Sequence, residues 1–216
     1  MVRVLVPCLL AISLSGCGLG SSSITAGFAD SGQPSSSLPP SRTAKGDVVA
    51  LNDSPTPPRK ADDRAPKGTF ERAPSGALAD RDYSATALDP EKAREAINAY
   101  RKQNGLKPLR LNAALTEAAK SHSRDLAKWD RISHFGSDGS NPWDRVKRAG
   151  FNAKVAAENV GTGQASIAEV LKGWQNSPGH NKNLLLADAD QMGIALVQDP
   201  KTEFKTFWTL VVGSSL

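Results

Sequence analysis

Three histidines, His122, His134 and His180, and one carboxylate, Glu158, are the residues of this 216-residue chain whose types suit chemistry. His134 lies in Ile132-Ser133-His134-Phe135, past a helical pattern, and His180 in Ser177-Pro178-Gly179-His180-Asn181. Between them Ala157-Glu158-Asn159-Val160 sets a carboxylate in a mildly apolar stretch. Two neutral imidazoles and a carboxylate can hold zinc with an open position for water. The same three groups can act as an acid/base set without metal. More than twenty residues separate each from the next, so no helix turn fixes two together as His-Glu-x-x-His does.

Each residue also has a structural reading. His122 falls on the apolar face of a helix and reads as a packed, hydrogen-bonded core histidine. His134 could cap a helix end, where a cation is favoured. Glu158 could accept hydrogen bonds from loop amides. His180 sits at a helix start, where a positive ring is disfavoured and the neutral form kept. Trp129, Trp143, Trp174 and Trp208 read as core residues first. Ser177, a serine before proline in a turn, reads as structural, not as a nucleophile.

The elements that must position these groups are legible. Asp89-Pro90-Glu91 is a helix start that runs to about Asn104 and stops at Gly105. A second helix opens at Asn112, with Leu115, Ala118, Ala119, His122, Leu126 and Trp129 on one face. Asn141-Pro142 begins a short third helix ending at Gly150. Ser166 to Glu169 has the capping-box pattern, and Ile167, Val170, Leu171 and Trp174 line the helix that follows. Gln191–Gln198 and Phe204–Val212 read as strands, with a short third near Ala157–Gly161. Helices first and strands mostly later predict an α+β fold with a sheet between helices.

The first 87 residues have another character. Arg3, the apolar stretch Val4–Leu14 and Leu14-Ser15-Gly16-Cys17 resemble a bacterial lipoprotein signal: residues 1–16 are removed and Cys17 is lipidated, with palmitate or a similar acyl chain. The apolar stretch is shorter than the about 20 residues that span a bilayer. Cys8 leaves with the signal, so no disulfide or cysteine-ligated metal is expected. Residues 17–87 hold Cys17 and then a Ser/Pro-rich stretch with eight of the chain's 14 prolines. Large apolar residues are sparse there, which predicts a disordered tether with a root-mean-square span of about 45 Å. Residues 88–216 carry 18 Lys/Arg against 14 Asp/Glu. That mild positive charge favours anionic envelope surfaces weakly, and with no basic run or recognition motif, nucleic acid is not an expected partner.

A loop histidine, an Ala-Glu-Asn segment, a tryptophan-bearing helix, a Gly-His turn and a closing strand pair, in that order from about Asp89 to Val212, resemble the bacterial branch of the CAP superfamily. That superfamily comprises cysteine-rich secretory proteins, antigen 5 and pathogenesis-related proteins. The resemblance implies an α-β-α sandwich with a three-stranded antiparallel sheet over residues 88–216. It also implies a cleft lined by two histidines and two glutamates. By motif these fall on His134, Glu158 and His180, with Asn159 and Asn183 in support. The second glutamate, three residues after the tryptophan in animal members, is here Ser177, so the tetrad is incomplete. Some members bind a divalent metal such as zinc through the histidines, here His134 and His180.

Three functions stay open on the sequence. One is a lipid-anchored binding module for a lipid, sterol-like or peptidoglycan ligand. Another is a metal-dependent or acid/base hydrolase at His134, Glu158 and His180. The third is a structural role in the cell envelope. Gly18 in place of Asp after the lipidated cysteine favours the outer membrane, if the host has one.

Overall fold

The computed structural model describes residues 24–30, as backbone, and 63–216. Cys17 and the signal segment lie outside these residues. Among the described residues there are seven strands: β1 Ile24–Asp30, β2 Phe70–Glu71, β3 Arg110–Leu111, β4 Ile132–Ser133, β5 Ala153–Thr162, β6 Gln191–Gln198 and β7 Thr206–Ser215. Five helices accompany them: α1 Pro90–Gln103, α2 Ala113–Trp129, α3 Pro142–Arg148, α4 Ile167–Asn176 and α5 Pro178–Leu184.

Capping sets most helix ends where the sequence places them. The Asp89 side chain accepts from the Glu91 and Lys92 amides, and Pro90 supplies the first helical position of α1. Asn112 caps α2, and Asn141 and Asp144 form a reciprocal capping box on α3. Ser166 accepts from the Glu169 amide to open α4. Pro178 is the first residue of α5, so His180 stands in the first turn of a short helix, as its reading at a helix start predicts.

The main sheet has the order β1-β5-β7-β6-β3. Its centre is the expected antiparallel trio, β5-β7-β6, now flanked by antiparallel β1 and a two-residue parallel pairing of β3 with β6. Period-2 alternation in β7 divides the core. Trp208, Leu210 and Val212 pack with Ile97 of α1, Trp174 of α4 and Leu184 of α5. Phe207 packs with Leu126, and Val211 packs with Leu115, Ala119 and Val146 of α2 and α3. Helices therefore cover both faces, and the fold is the α-β-α sandwich. Gly193 permits the closest layer contact: a Cβ there would collide with the Leu115–Thr116 backbone of α2. β7 begins at Thr206 and not at Phe204, because Lys205 adopts φ +64°, which breaks an extended strand.

The boundary at Leu88 and the tether through residue 87 need correction. β2 pairs with β4, and Leu78 is buried. Arg81 bridges to Glu169 at 2.7 Å, Tyr83 Oη donates to the Gly163 carbonyl at 2.9 Å, and Asp63 pairs with buried Arg131 at 2.6 Å. Residues 63–87 thus pack on the domain through a few specific contacts, which a stretch sparse in large apolar residues does not reveal. Ile24–Asp30, also assigned to the tether, forms β1 along β5.

Candidate functional site

Glu158 sits on β5 with its side chain toward α2 and α3, and alternation turns its neighbour Asn159 toward α5. The Glu158 carboxylate is 1 % exposed. Arg145 of α3 reaches Oε2 at 2.8 Å; His134 Nδ1 lies 2.9 Å and His122 Nε2 3.5 Å from Oε1. Burial alone would raise this carboxyl's pKa, but Arg145, His122 and His134 together hold it well below the usual carboxylate range. The group is therefore ionised, so His134 donates from Nδ1, and in the neutral ring the lone pair belongs to Nε2.

His122 donates from Nε2 to the Ser133 carbonyl at 2.8 Å and is fully buried, as its place on the apolar face predicts. Burial first, then the positive charge of Arg145, push its pKa down to about 4 despite Glu158. It is neutral at ordinary pH. Arg145 binds more than the carboxylate: it also donates to the His134 and Ser140 carbonyls at 2.9 Å each.

His180 joins from the other layer. Its Nδ1 lies 2.7 Å from Ser177 Oγ, and its carbonyl accepts from Asn159 Nδ2 at 3.0 Å. Asn183 Nδ2 donates to the Glu158 carbonyl at 3.0 Å and to Asn159 Oδ1 at 2.8 Å. Asn159 and Asn183 thus clamp α5 to β5, while Ser177 meets the His180 ring. The structure brings His134 and Glu158 into direct contact and connects His180 to the same strand through amides.

Sequence reasoning missed Arg145 and the approach of His122 to Glu158. Arg145 reads as one of several cations on a short polar helix, and only its burial at 5 % exposure marks it out.

A zinc centre with Glu158 as ligand does not fit this arrangement. Arg145 occupies one carboxylate oxygen and the two imidazoles crowd the other. Among the described residues no three His, Cys, Asp or Glu come together to hold a metal ion. The cavity beside His122, Asp125, Ser137 and Arg145 is about 160 Å³. Small-molecule pockets are roughly 300–1,000 Å³.

The family model described as "CAP: Cysteine-rich secretory protein family" matches residues 94–212, more than half of the chain. The chain belongs to the CAP family. Among its relatives is the uncharacterised protein YkwD of Bacillus subtilis (strain 168), 34 % identical over 115 residues, which are 53 % of this chain and 45 % of that one. The uncharacterised membrane protein YlbC of the same organism is 28 % identical over 102 residues, 47 % of this chain and 30 % of that one. The chain spans less than half the length of these curated relatives.

Solved structures share the fold. An outer surface protein from Borrelia burgdorferi superposes with a TM-score of 0.54 at 21 % identity, covering 60 % of this chain and 97 % of that one. An extracellular protein containing an SCP domain from Bacillus anthracis gives 0.52 at 22 % identity, covering 61 % and 45 %. At these identities the likeness is one of fold.

Proposed function

We propose that this CAP protein is an extracytoplasmic lipoprotein, held to a membrane through Cys17, whose His134/Glu158/His180 region binds a component of the cell envelope. The observation that carries the reading is the state of Glu158. A buried carboxylate gripped by Arg145 and His134 organises its surroundings and is a poor water activator or metal ligand, because its lone pairs are already engaged. The reading draws its location from the lipoprotein-like N-terminus and from the outer-surface and extracellular neighbours of the same fold. Among the described residues no helix is long and apolar enough to cross a membrane.

Two measurements test it. Metabolic labelling with a palmitate analogue is expected to mark the chain and to be lost in Cys17→Ser; label retained in that variant refutes the anchor. Co-sedimentation with purified sacculi and with anionic vesicles is expected to retain the chain on one of them, and to weaken at least tenfold in His180→Ala with the fold intact. Binding to neither removes the envelope-ligand reading.

One observation favours the hydrolase as a second reading. Glu158 holds His134 with the proton on Nδ1, which is how a carboxylate orients an imidazole base. On this reading His134 is the base, oriented by Glu158 through Nδ1. A turnover abolished by His134→Ala, with unchanged sacculus or vesicle binding, would establish it.

A further inference from the structure

The sheet edge beside the histidines is not bare. β1 runs antiparallel along β5 with Phe28 opposite Glu158, Gly27 opposite Asn159 and Ala26 opposite Val160. Its backbone also approaches α5, which carries His180, and β4, which leads into His134. The strand therefore lies along the edge of β5 in contact with α5, which bears His180, and with β4, which ends just before His134. It comes from far off in sequence, more than 120 residues before its partner, and ends the sheet on that side.

A strand edge presents a row of backbone donors and acceptors that another extended chain can pair with. Recognition of this kind draws affinity from the main chain and so accepts many sequences. The resident segment, Ile24-Thr25-Ala26-Gly27-Phe28-Ala29-Asp30, has mostly small residues and no proline, as such a slot requires. We infer that the edge of β5 beside His134 and His180 is a binding site for an extended polypeptide strand, with Ile24–Asp30 as its resident, exchangeable occupant. This rests on the reading of that region as a binding site and names its ligand class.

The position of the occupant gives the site a second consequence. Six residues, Gly18 to Ser23, separate β1 from Cys17. Fully extended they reach about 20–22 Å at the usual advance per residue. With β1 in place, a lipidated Cys17 holds the domain close to the membrane and the site is filled. With β1 displaced by a peptide in trans, Ile24–Asp30 no longer pins the chain to β5, and the domain can stand further from Cys17. Occupancy and reach are thereby coupled. Because the resident is tied to its own domain at high effective concentration, a competitor must be abundant or bind better.

Amide hydrogen exchange on the full chain tests this. In the unaltered protein, the amides of Ala157–Thr162 are expected to be slow on both edges of β5. In the double variant Ala26→Pro/Phe28→Pro, the alternate amides facing β1 are expected to exchange at least tenfold faster, with β6 and β7 unchanged. A synthetic peptide of residues 22–32, added at millimolar concentration, is expected to restore their protection, whereas the same peptide with prolines at 26 and 28 is not. Protection unchanged in the double variant overturns the proposal, as does exposure that the peptide fails to reverse. If the prolines unfold the chain, seen as fast exchange in β6 and β7, a Gly/Ser stretch of equal length in place of residues 24–30 gives the same readout. Sacculus or vesicle binding kept by the variant, without peptide protection, sinks the peptide site alone; loss of both sinks the binding reading with it.

Discussion

The guanidinium of Arg145 and the carboxylate of Glu158 meet at 2.8 Å inside the protein, and the same Arg145 nitrogen donates to the His134 carbonyl. One cation therefore fixes both the backbone of His134 and the carboxylate that grips its ring. Glu158 in turn accepts from His134 Nδ1, which closes a circuit from α3 through β5 to the loop after β4. Such a buried pair adds little over a well-packed apolar pair, but losing one partner strands the other charge.

Arg145→Met is accordingly expected to destabilise the protein by about 3–5 kcal/mol. Adding Glu158→Gln removes the stranded charge, so the double variant is expected to lose less than the sum of the two single changes. Urea unfolding of the four proteins measures this. Additive losses would mean that the two groups do not sense each other.

Stability is expected to fall as pH drops from about 6.5 to about 4. His122 is neutral in the fold down to about 4 but takes a proton near 6.5 when unfolded. In that window the unfolded chain binds more protons, so stability rises with pH. Glu158 acts lower: its folded pKa is depressed from 4.5, so its contribution is present above that value and drains away as pH falls further. His122→Gln, which keeps an N–H for the Ser133 carbonyl, is expected to flatten the upper part of the profile and, because His122 also helps to hold Glu158 ionised, to weaken the acid limb in part while Arg145 and His134 keep the rest. A profile identical to that of the unaltered chain would place the upper slope elsewhere.

The parts legible in sequence are those set locally. Asp89-Pro90, Asn112 and Ser166 mark helix starts through side chains a few residues away, and Leu115 to Leu126 show their buried face through spacing alone. The family resemblance implied one cleft for His134, Glu158 and His180, but which of them touch was not in it: the contact of His134 with Glu158 comes from the fold. Arg145 was not legible either, because its burial depends on a partner on another element. His122 was placed in the core correctly, yet nothing in a helical period says which carboxylate will approach it. β1 escaped for the same reason: seven residues with weak alternation join a strand more than 120 positions later, and only the tertiary fold brings them together.

Gly193→Ala tests how tightly α2 is laid on the sheet. The added methyl would meet backbone at Leu115–Thr116, which cannot swing aside as a side chain can. Overpacking commonly costs about 1–3 kcal/mol, and backbone contact places this substitution at or above the upper end. Gly105→Ala, with φ +73° but open space around its Cβ, is expected to cost about 1 kcal/mol through backbone strain alone. Thermal unfolding ranks the two, and an equal or smaller loss at Gly193 would contradict the close approach.

Asn183 separates the positioning of His180 from the Glu158 cluster. Its amide nitrogen donates both to the Glu158 carbonyl and to Asn159 Oδ1, and Asn159 holds the His180 carbonyl. Asn183→Ala removes that clamp without touching Arg145, His134 or the Glu158 carboxylate. The expected cost is about 1–3 kcal/mol, from buried acceptors that lose their donor. Histidine ring signals in an NMR pH titration give the distinguishing readout. The His180 resonances are expected to shift and broaden as α5 loosens, while those of His122 keep their low titration midpoint. A disturbance shared equally by all three rings would show that α5 and the Arg145–Glu158 cluster form one rigid unit, and would remove the separate clamp.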